Sequence, residues 1–404
     1  MTAWVTGAVI VGAVVFMVVE LASRWWLRRR SRYYVWRPGS RLEMRVDPEA
    51  CPELEPLVRF DINTAGERGA DVRGSDDGLC RILVAGGSAV ECFMLDQPTS
   101  WPAALERLLN APDSLRILGA RGVHVGNIGR SGVGSAELDL ILERILPQYD
   151  RLDAILIMVG ASDVYHWMEI GAPPSRAPTP VPELTLFSSH PMQPFGWKPH
   201  ELALTEVARR VRRFWLHPVE VKERAGAWFA TARRMRAEAR EVRSTMPDTT
   251  TLLEHLEHHF RRLLRRAKAS ADRVLVVRQP WFEKNYTADE AARFWTGAVG
   301  MPWRETVNAY YSLEVLNRLL GLVDARVAKV ASALGVPHLN LRPVLTQGLR
   351  HYYDHDHFTP VGAAVVAQTV ATALLARPAV TRTVRSRPAL AVSASAPSPG
   401  STSS

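Results

Sequence analysis

Five short apolar runs of strand length punctuate the middle of the chain, each with turn residues near its ends. They are RILVA (Arg81 to Ala85), VHVGNI (Val123 to Ile128), DAILIMV (Asp153 to Val159), RVLVV (Arg273 to Val277) and PHLNL (Pro337 to Leu341). Between them, TSWPAALERLLN, SAELDLILERIL and YYSLEVLNRLLGLVDARVAKVASALG repeat apolar residues three and four apart, as a helix with one buried face does. This alternation predicts an α/β fold, a three-layer sandwich with a central parallel five-stranded sheet and helices on both faces. No period of a solenoid is visible.

The interval between the third and fourth runs is far longer than one crossover helix needs. It reads as a helical insertion over about 168–272. A Pro-rich loop, GAPPSRAPTPVP, leads into arginine-rich helical segments such as LTEVARRVRRFWL, RAGAWFATARRMRAEAREVR and LLEHLEHHFRRLLRRA. Such arginines make a solvated face or meet anionic lipid more often than they line a nucleic-acid groove. Before the domain, residues 33 to about 77 are turn-rich, with NTAGERG expected on a domain edge.

The two ends differ from the middle. AWVTGAVIVGAVVFMVVELA is long enough to span a bilayer core as a helix, and only Glu20 interrupts it. A cleavable signal peptide has a basic start and a shorter apolar stretch, whereas this run begins Met-Thr-Ala and leads into SRWWLRRRSRYY. Residues 1–32 therefore read as a retained, single-pass transmembrane anchor with an aromatic and basic flank. The positive-inside rule then places the body of the protein in the cytoplasm. Residues 33–378 form the expected domain, and the Pro/Ser/Ala-rich residues 379–404 a disordered tail.

Composition adds less. The chain has 404 residues, 47% of them apolar, which is ample for a core. A net charge of +9 fits nucleic acid, anionic lipid or a merely basic surface, and no nucleic-acid motif accompanies it. Cys51, Cys80 and Cys92 lack the spacing of a disulfide framework or a zinc site and read as unpaired thiols.

In an open parallel sheet the active residues gather in loops at the carboxyl ends of the strands. The first run is followed by GGSAVE with Ser88, the second by GRSGVGSAE, the third by GASDVY, and the fifth, some residues later, by DHDHFTPVG. A serine needs a base, the base an orienting partner, and the oxyanion hydrogen-bond donors. Thr359 and Pro360 suit the N-cap and first position of a final helix, which puts the Asp/His cluster just before it. Residues three apart in a turn face one side, so Asp354 and His357 are the expected bonded pair, with His355 and Asp356 pointing elsewhere. The rival is a metal held by Asp354, His355, Asp356 and His357, but the neighbouring loops supply Ser and Gly rather than further ligands. In EHLEHHF, His255 and His259 are four apart, yet the glutamate of a His-Glu-x-x-His site is not in its place, and a solvated or lipid-facing helix is expected.

Taken in order, these four blocks resemble those of the GDSL/SGNH hydrolase family. ILVAGGSAVE resembles the first block, with Gly87 and Ser88 at its Asp-Ser; NIGRSGVGS resembles the second, with Gly132 as its glycine; GASD resembles the third; and DHDHFTPVG resembles the last, Asp-x-x-His before the final helix. The resemblance implies a flavodoxin-like, SGNH-type sheet, Ser88 as nucleophile, His357 as general base and Asp354 as its orienting partner. It further implies an oxyanion hole from the Ser88 and Gly132 backbone N–H groups and the residue at 162, an asparagine in the family and a serine here. Asp163 keeps the family's aspartate but, when ionised, has no proton to donate. The function implied is a serine ester hydrolase or O-acyl transferase acting on an acylated lipid, glycan or small ester, with no cofactor and no metal. A catalytically weakened binding or scaffold protein on the same fold is the alternative that Ser162 raises.

Overall fold

The computed structural model describes residues 2–30, 32–72, 78–150, 152–188, 202–216, 218–345 and 348–376; the expected tail over 379–404 lies outside them. Among the described residues ten strands run in chain order: β1 Arg41–Val46, β2 Leu57–Asp61, β3 Leu79–Gly86, β4 Gly122–Asn127, β5 Leu152–Met158, β6 Val219–Ala225, β7 Glu241–Arg243, β8 Ala271–Arg278, β9 Ala309–Tyr311 and β10 His338–Asn340. The five apolar runs are β3, β4, β5, β8 and β10. They make one sheet in the order β10-β8-β5-β3-β4, every neighbouring pair parallel. This is the flavodoxin-like order, whose switch point lies beside its first strand, here β3.

Strand residues alternate between two cores because successive side chains point to opposite faces. Ile82, Val84, Leu156 and Val277 join one, against the helices Trp101–Leu109 and Pro360–Leu375. Leu83, Ala85, Ile155, Ile157 and Val276 join the other, against Ser135–Ile145, Thr250–Ser270 and Leu313–Ala333.

The stretch expected as a helical insertion is more varied than its sequence pattern suggests. It contributes β6, which pairs with β1 in a small β2-β1-β6 sheet, and β7, which pairs with β9. Its last helix, Thr250–Ser270, is the crossover that a parallel β5–β8 pair requires. Leu252, Leu256, Phe260, Leu263, Leu264 and Ala267 recur at helical spacing and are buried in the second core. The helix carrying EHLEHHF is therefore sheet-packed rather than solvated or lipid-facing throughout; His255 and His259 occupy its less buried side, their rings 4.6 Å apart.

The NTAGERG stretch is turn-rich and packed against the domain as expected, with Glu67 and Arg68 drawn inward. Arg68 is only 2% exposed and donates to the carbonyls of Glu91, Cys92 and Leu95 at 2.6–2.7 Å. A buried guanidinium is tolerable where its donors find acceptors, and here they fasten the end of the short helix Ser88–Glu91. At the N-terminus, Thr2–Arg30 is one helix, with Trp4–Leu27 long and apolar enough to cross a membrane and almost wholly exposed. Among the described residues, Cys51, Cys80 and Cys92 are buried and form no disulfide.

Candidate active site

Ser88 begins a helix immediately beyond β3, at the topological switch point. The turn needs glycine before it: a Cβ on Gly86 would lie 2.1 Å from the Met158 carbonyl oxygen of β5. The close strand contact thus lets the chain turn sharply and present Ser88 half-buried at the sheet edge.

The final loop supplies the partners. Thr359 caps the helix Pro360–Leu375 by accepting from Gly362 N, and Thr359 N donates to the His351 carbonyl. Asp354 and His357 meet within this loop. His357 Nδ1 lies 2.9 and 2.8 Å from the Asp354 oxygens, and the His357 and Asp356 backbone N–H groups also donate to Asp354. On the other ring nitrogen, His357 Nε2 is 2.7 Å from Ser88 Oγ. The residues Ser88, His357 and Asp354 thus form one hydrogen-bonded line across 269 residues of sequence.

The electrostatics follow from burial and charge. Burial favours a neutral Asp354, but the facing His357 and the donors converging on the carboxylate outweigh it and hold its pKa down at about 2. Burial likewise favours neutral His357, and the Asp354 and Asp356 carboxylates overcome this, raising it to about 9. Trp295 Nε1 donates to Asp354 Oδ2 at 3.0 Å, and the Tyr353 ring stacks on the imidazole at 5.6 Å.

Asp356 corrects the sequence expectation. It does not point away: it is fully buried, with Oδ1 3.5 Å from His357 Nδ1, because the loop is tight enough to bring both carboxylates to the same imidazole. Its other oxygen accepts from Gln279 Nε2 at 3.0 Å, and Gln279 Oε1 accepts from Ala161 N at 3.3 Å. Gln279 therefore links the base loop to the first turn of the helix Ala161–Glu169 that carries Ser162. Burial, with repulsion from Asp354, pushes the Asp356 carboxyl up to about 6. His355 does point elsewhere, its Nε2 2.9 Å from Asn317 Oδ1.

The segments that carry the expected oxyanion donors meet around Gly87. A Cβ there would sit 3.1 Å from the Val133 carbonyl oxygen and 3.3 Å from Ser162 Oγ, so the Gly132 loop and the Ser162 turn both abut the Ser88 turn. Gly132 takes φ +71°, a conformation that favours glycine. Glu91 holds this loop by accepting from Ser131 N and Oγ, and Asn127 Nδ2 donates to the Val90 carbonyl. Asp163 accepts from Ser135 N and from Ser135 Oγ at 2.5 Å, which pins the helix after the Gly132 loop; burial pushes its carboxyl up to about 7.

Among the described residues, the acidic and histidine side chains close enough to share an ion are Asp354, Asp356 and His357. Asp354 and His357 already serve the line to Ser88, and Asp356 accepts from Gln279. Gln279, Trp295 and Glu91 carry no expectation from the sequence, nor does His166, whose Nε2 would lie 3.8 Å from a Cβ on Gly132. Two had a signal: His166 is one helical turn beyond Ser162, and Gln279 follows β8 at the sheet's active edge.

No family model and no curated protein matches the sequence. Solved structures that resemble the chain include Axe2, an acetylxylan esterase from Geobacillus stearothermophilus, at 13% identity and a TM-score of 0.38, covering 75% of this chain and 97% of that one. An aryl esterase of M. smegmatis matches at 14% identity and 0.38, over 74% and 99% of the two chains. LAE5, an alpha/beta hydrolase enzyme from the metagenome of Lake Arreo, matches at 14% and 0.38, over 73% and 96%. Likenesses this distant carry no argument about function, which rests on the geometry around Ser88.

Proposed function

We propose that the chain is a membrane-anchored serine ester hydrolase or O-acyl transferase of the SGNH type. The observation that carries the reading is the line from Ser88 Oγ through His357 to Asp354. In the neutral imidazole, Nδ1–H is directed to Asp354, which leaves the Nε2 lone pair facing the serine hydroxyl.

Ser88 Oγ attacks the ester carbonyl while His357 Nε2 takes its proton. The tetrahedral oxyanion is received by the Ser88 and Gly132 N–H groups and by Ser162 Oγ. His357 then returns the proton to the departing alcohol, leaving an acyl group on Ser88. Water or an acceptor hydroxyl completes the cycle, with the same imidazole as base. Asp354 orients the ring and stabilises its cationic form. The substrate is an acylated lipid, glycan or small ester, and no metal or cofactor is needed for these steps.

The helix Trp4–Leu27 is the anchor, and the arginines that follow it favour a cytoplasmic domain. A weakened, ligand-binding protein is the second reading, favoured by Ser162, whose short hydroxyl replaces a longer amide. The test is turnover of p-nitrophenyl acetate by the full-length protein in detergent. A Ser88-dependent acyl-enzyme burst supports the enzyme; equal rates for wild type and Ser88→Ala reject it.

A further inference from the structure

Glu20 is the one acidic residue in the apolar N-terminal run, and it is 7% exposed amid neighbours that are mostly bare. Its carboxylate accepts from Ala203 N at 2.8 Å and Leu204 N at 3.1 Å, and from Arg24 Nε at 2.6 Å. Ala203 and Leu204 are the first residues of the helix Ala203–Leu216. Glu20 thus caps a helix 183 residues away, satisfying orphan N–H groups and meeting the positive helix end. Below the cap, Leu27 and Ala203 are both buried and Val207 packs on them. The contact is a stripe of Glu20, Ser23, Arg24 and Leu27, three and four apart on the N-terminal helix.

Beyond Val207 the capped helix becomes strongly two-sided. Val211 and Trp215, which continue the Val207 face at four-residue spacing, are 49% and 73% exposed, while Arg209, Arg210 and Arg212 lie off that face, Arg210 donating to Glu206 at 3.0 Å. A soluble domain gains nothing by exposing such a face, whereas an interfacial helix has this composition. The depth also agrees. Glu20 lies about 24 Å along the helix from Trp4, near the far edge of a hydrocarbon core about 30 Å thick.

We propose that the helix Ala203–Leu216 is a second membrane contact, held by the Glu20 cap at the hydrocarbon boundary so that its arginines engage anionic lipid headgroups. The inference rests on the anchoring reading above. The contact would also fix the domain's orientation, because β6 follows this helix and leads through Gly226 into Phe229, which packs against Tyr353 beside His357.

The test uses full-length protein in nanodiscs, with a fluorophore on single introduced cysteines and nitroxide-headgroup lipid as quencher. The native thiols are buried and do not compete for label. Probes are Val211→Cys for this helix, Val14→Cys with acyl-chain nitroxide for the anchor, and Asp113→Cys for the domain surface. We expect Val211→Cys to be quenched at least threefold more than Asp113→Cys in phosphatidylglycerol discs. The excess should fall by half or more in phosphatidylcholine discs, and likewise on adding Glu20→Ala. Quenching at Val14 but not at Val211 overturns this inference alone; no quenching at Val14 overturns the anchor as well. Equal Val211 quenching in both lipids overturns the role of anionic headgroups.

Discussion

Two carboxylate–histidine pairs in this molecule make a contrast, since one of them faces a serine and the other does not. Asp354 and His357 lie in a loop at the carboxyl edge of the sheet. His124 lies on β4 and Glu67 on the turn beside it, with His124 Nε2 2.8 Å from Glu67 Oε2. Around Glu67 every partner closes inward: Tyr149 OH donates at 2.6 Å and Asn63 Nδ2 at 3.0 Å. Gly126 makes room for the carboxylate, since a Cβ there would lie 2.4 Å from its carbon. Burial opposes ionisation of Glu67, but His124, Tyr149 and Asn63 outweigh it and bring its pKa down to about 2. The same two functional groups thus make a closed cluster at a strand and a pair at a strand end with one ring nitrogen turned outward. What separates them is that second imidazole nitrogen, directed at the hydroxyl of half-buried Ser88.

The comparison is breakable by exchange of charge for neutrality. Asp354→Asn should lower kcat on p-nitrophenyl acetate by roughly 10³–10⁴, since the amide supports the wrong tautomer, with the protein still folded by circular dichroism. Ser162→Asn should act in the opposite direction. If the oxyanion site lacks one good donor, restoring the amide raises kcat by up to about 10² with little change in KM.

Glu67→Gln should leave the turnover of folded protein near wild type while costing about 1–3 kcal/mol of stability, read from thermal or urea unfolding. The sign with pH follows from its lowered pKa. The stabilisation is complete above the ordinary value of 4.5 and is lost as pH falls towards about 2, so the wild-type excess over Glu67→Gln should shrink in acid. The smallest effect is expected at Asp356. His357 must be neutral to act as base, so kcat/KM should rise with pH along a limb well above the ordinary histidine range. Asp356→Asn removes one of the charges that hold the proton on His357, and that limb should move to lower pH.

Much of this was legible in the sequence because it depends on local pattern. The five apolar runs became the five sheet strands with ends shifted by one or two residues, and Thr359-Pro360 starts the last helix as its capping chemistry requires. Spacing in a turn selected Asp354 and His357. It failed for Asp356, because the path of a tight loop, not residue parity, decides which carboxylates reach the ring. Gln279 and Trp295 come from remote segments; the place of Gln279 just after β8 marks the active edge of the sheet but not its contact with the Asp/His loop, and Trp295 has no such mark. The stretch 168–272 misled for a related reason: β6 and β7 are strands only because β1 and β9 lie beside them, and short edge strands carry little pattern of their own. Glu20 was visible as an interruption, but its partner lies 183 residues away.

The central claim is that Ser88 is activated by His357. A fluorophosphonate probe on the full-length protein, followed by peptide mass spectrometry, tests it most directly. The account predicts a stoichiometric adduct on Ser88, absent in Ser88→Ala and slowed at least a hundredfold in His357→Ala. An adduct on another serine, or none on folded protein, would contradict it.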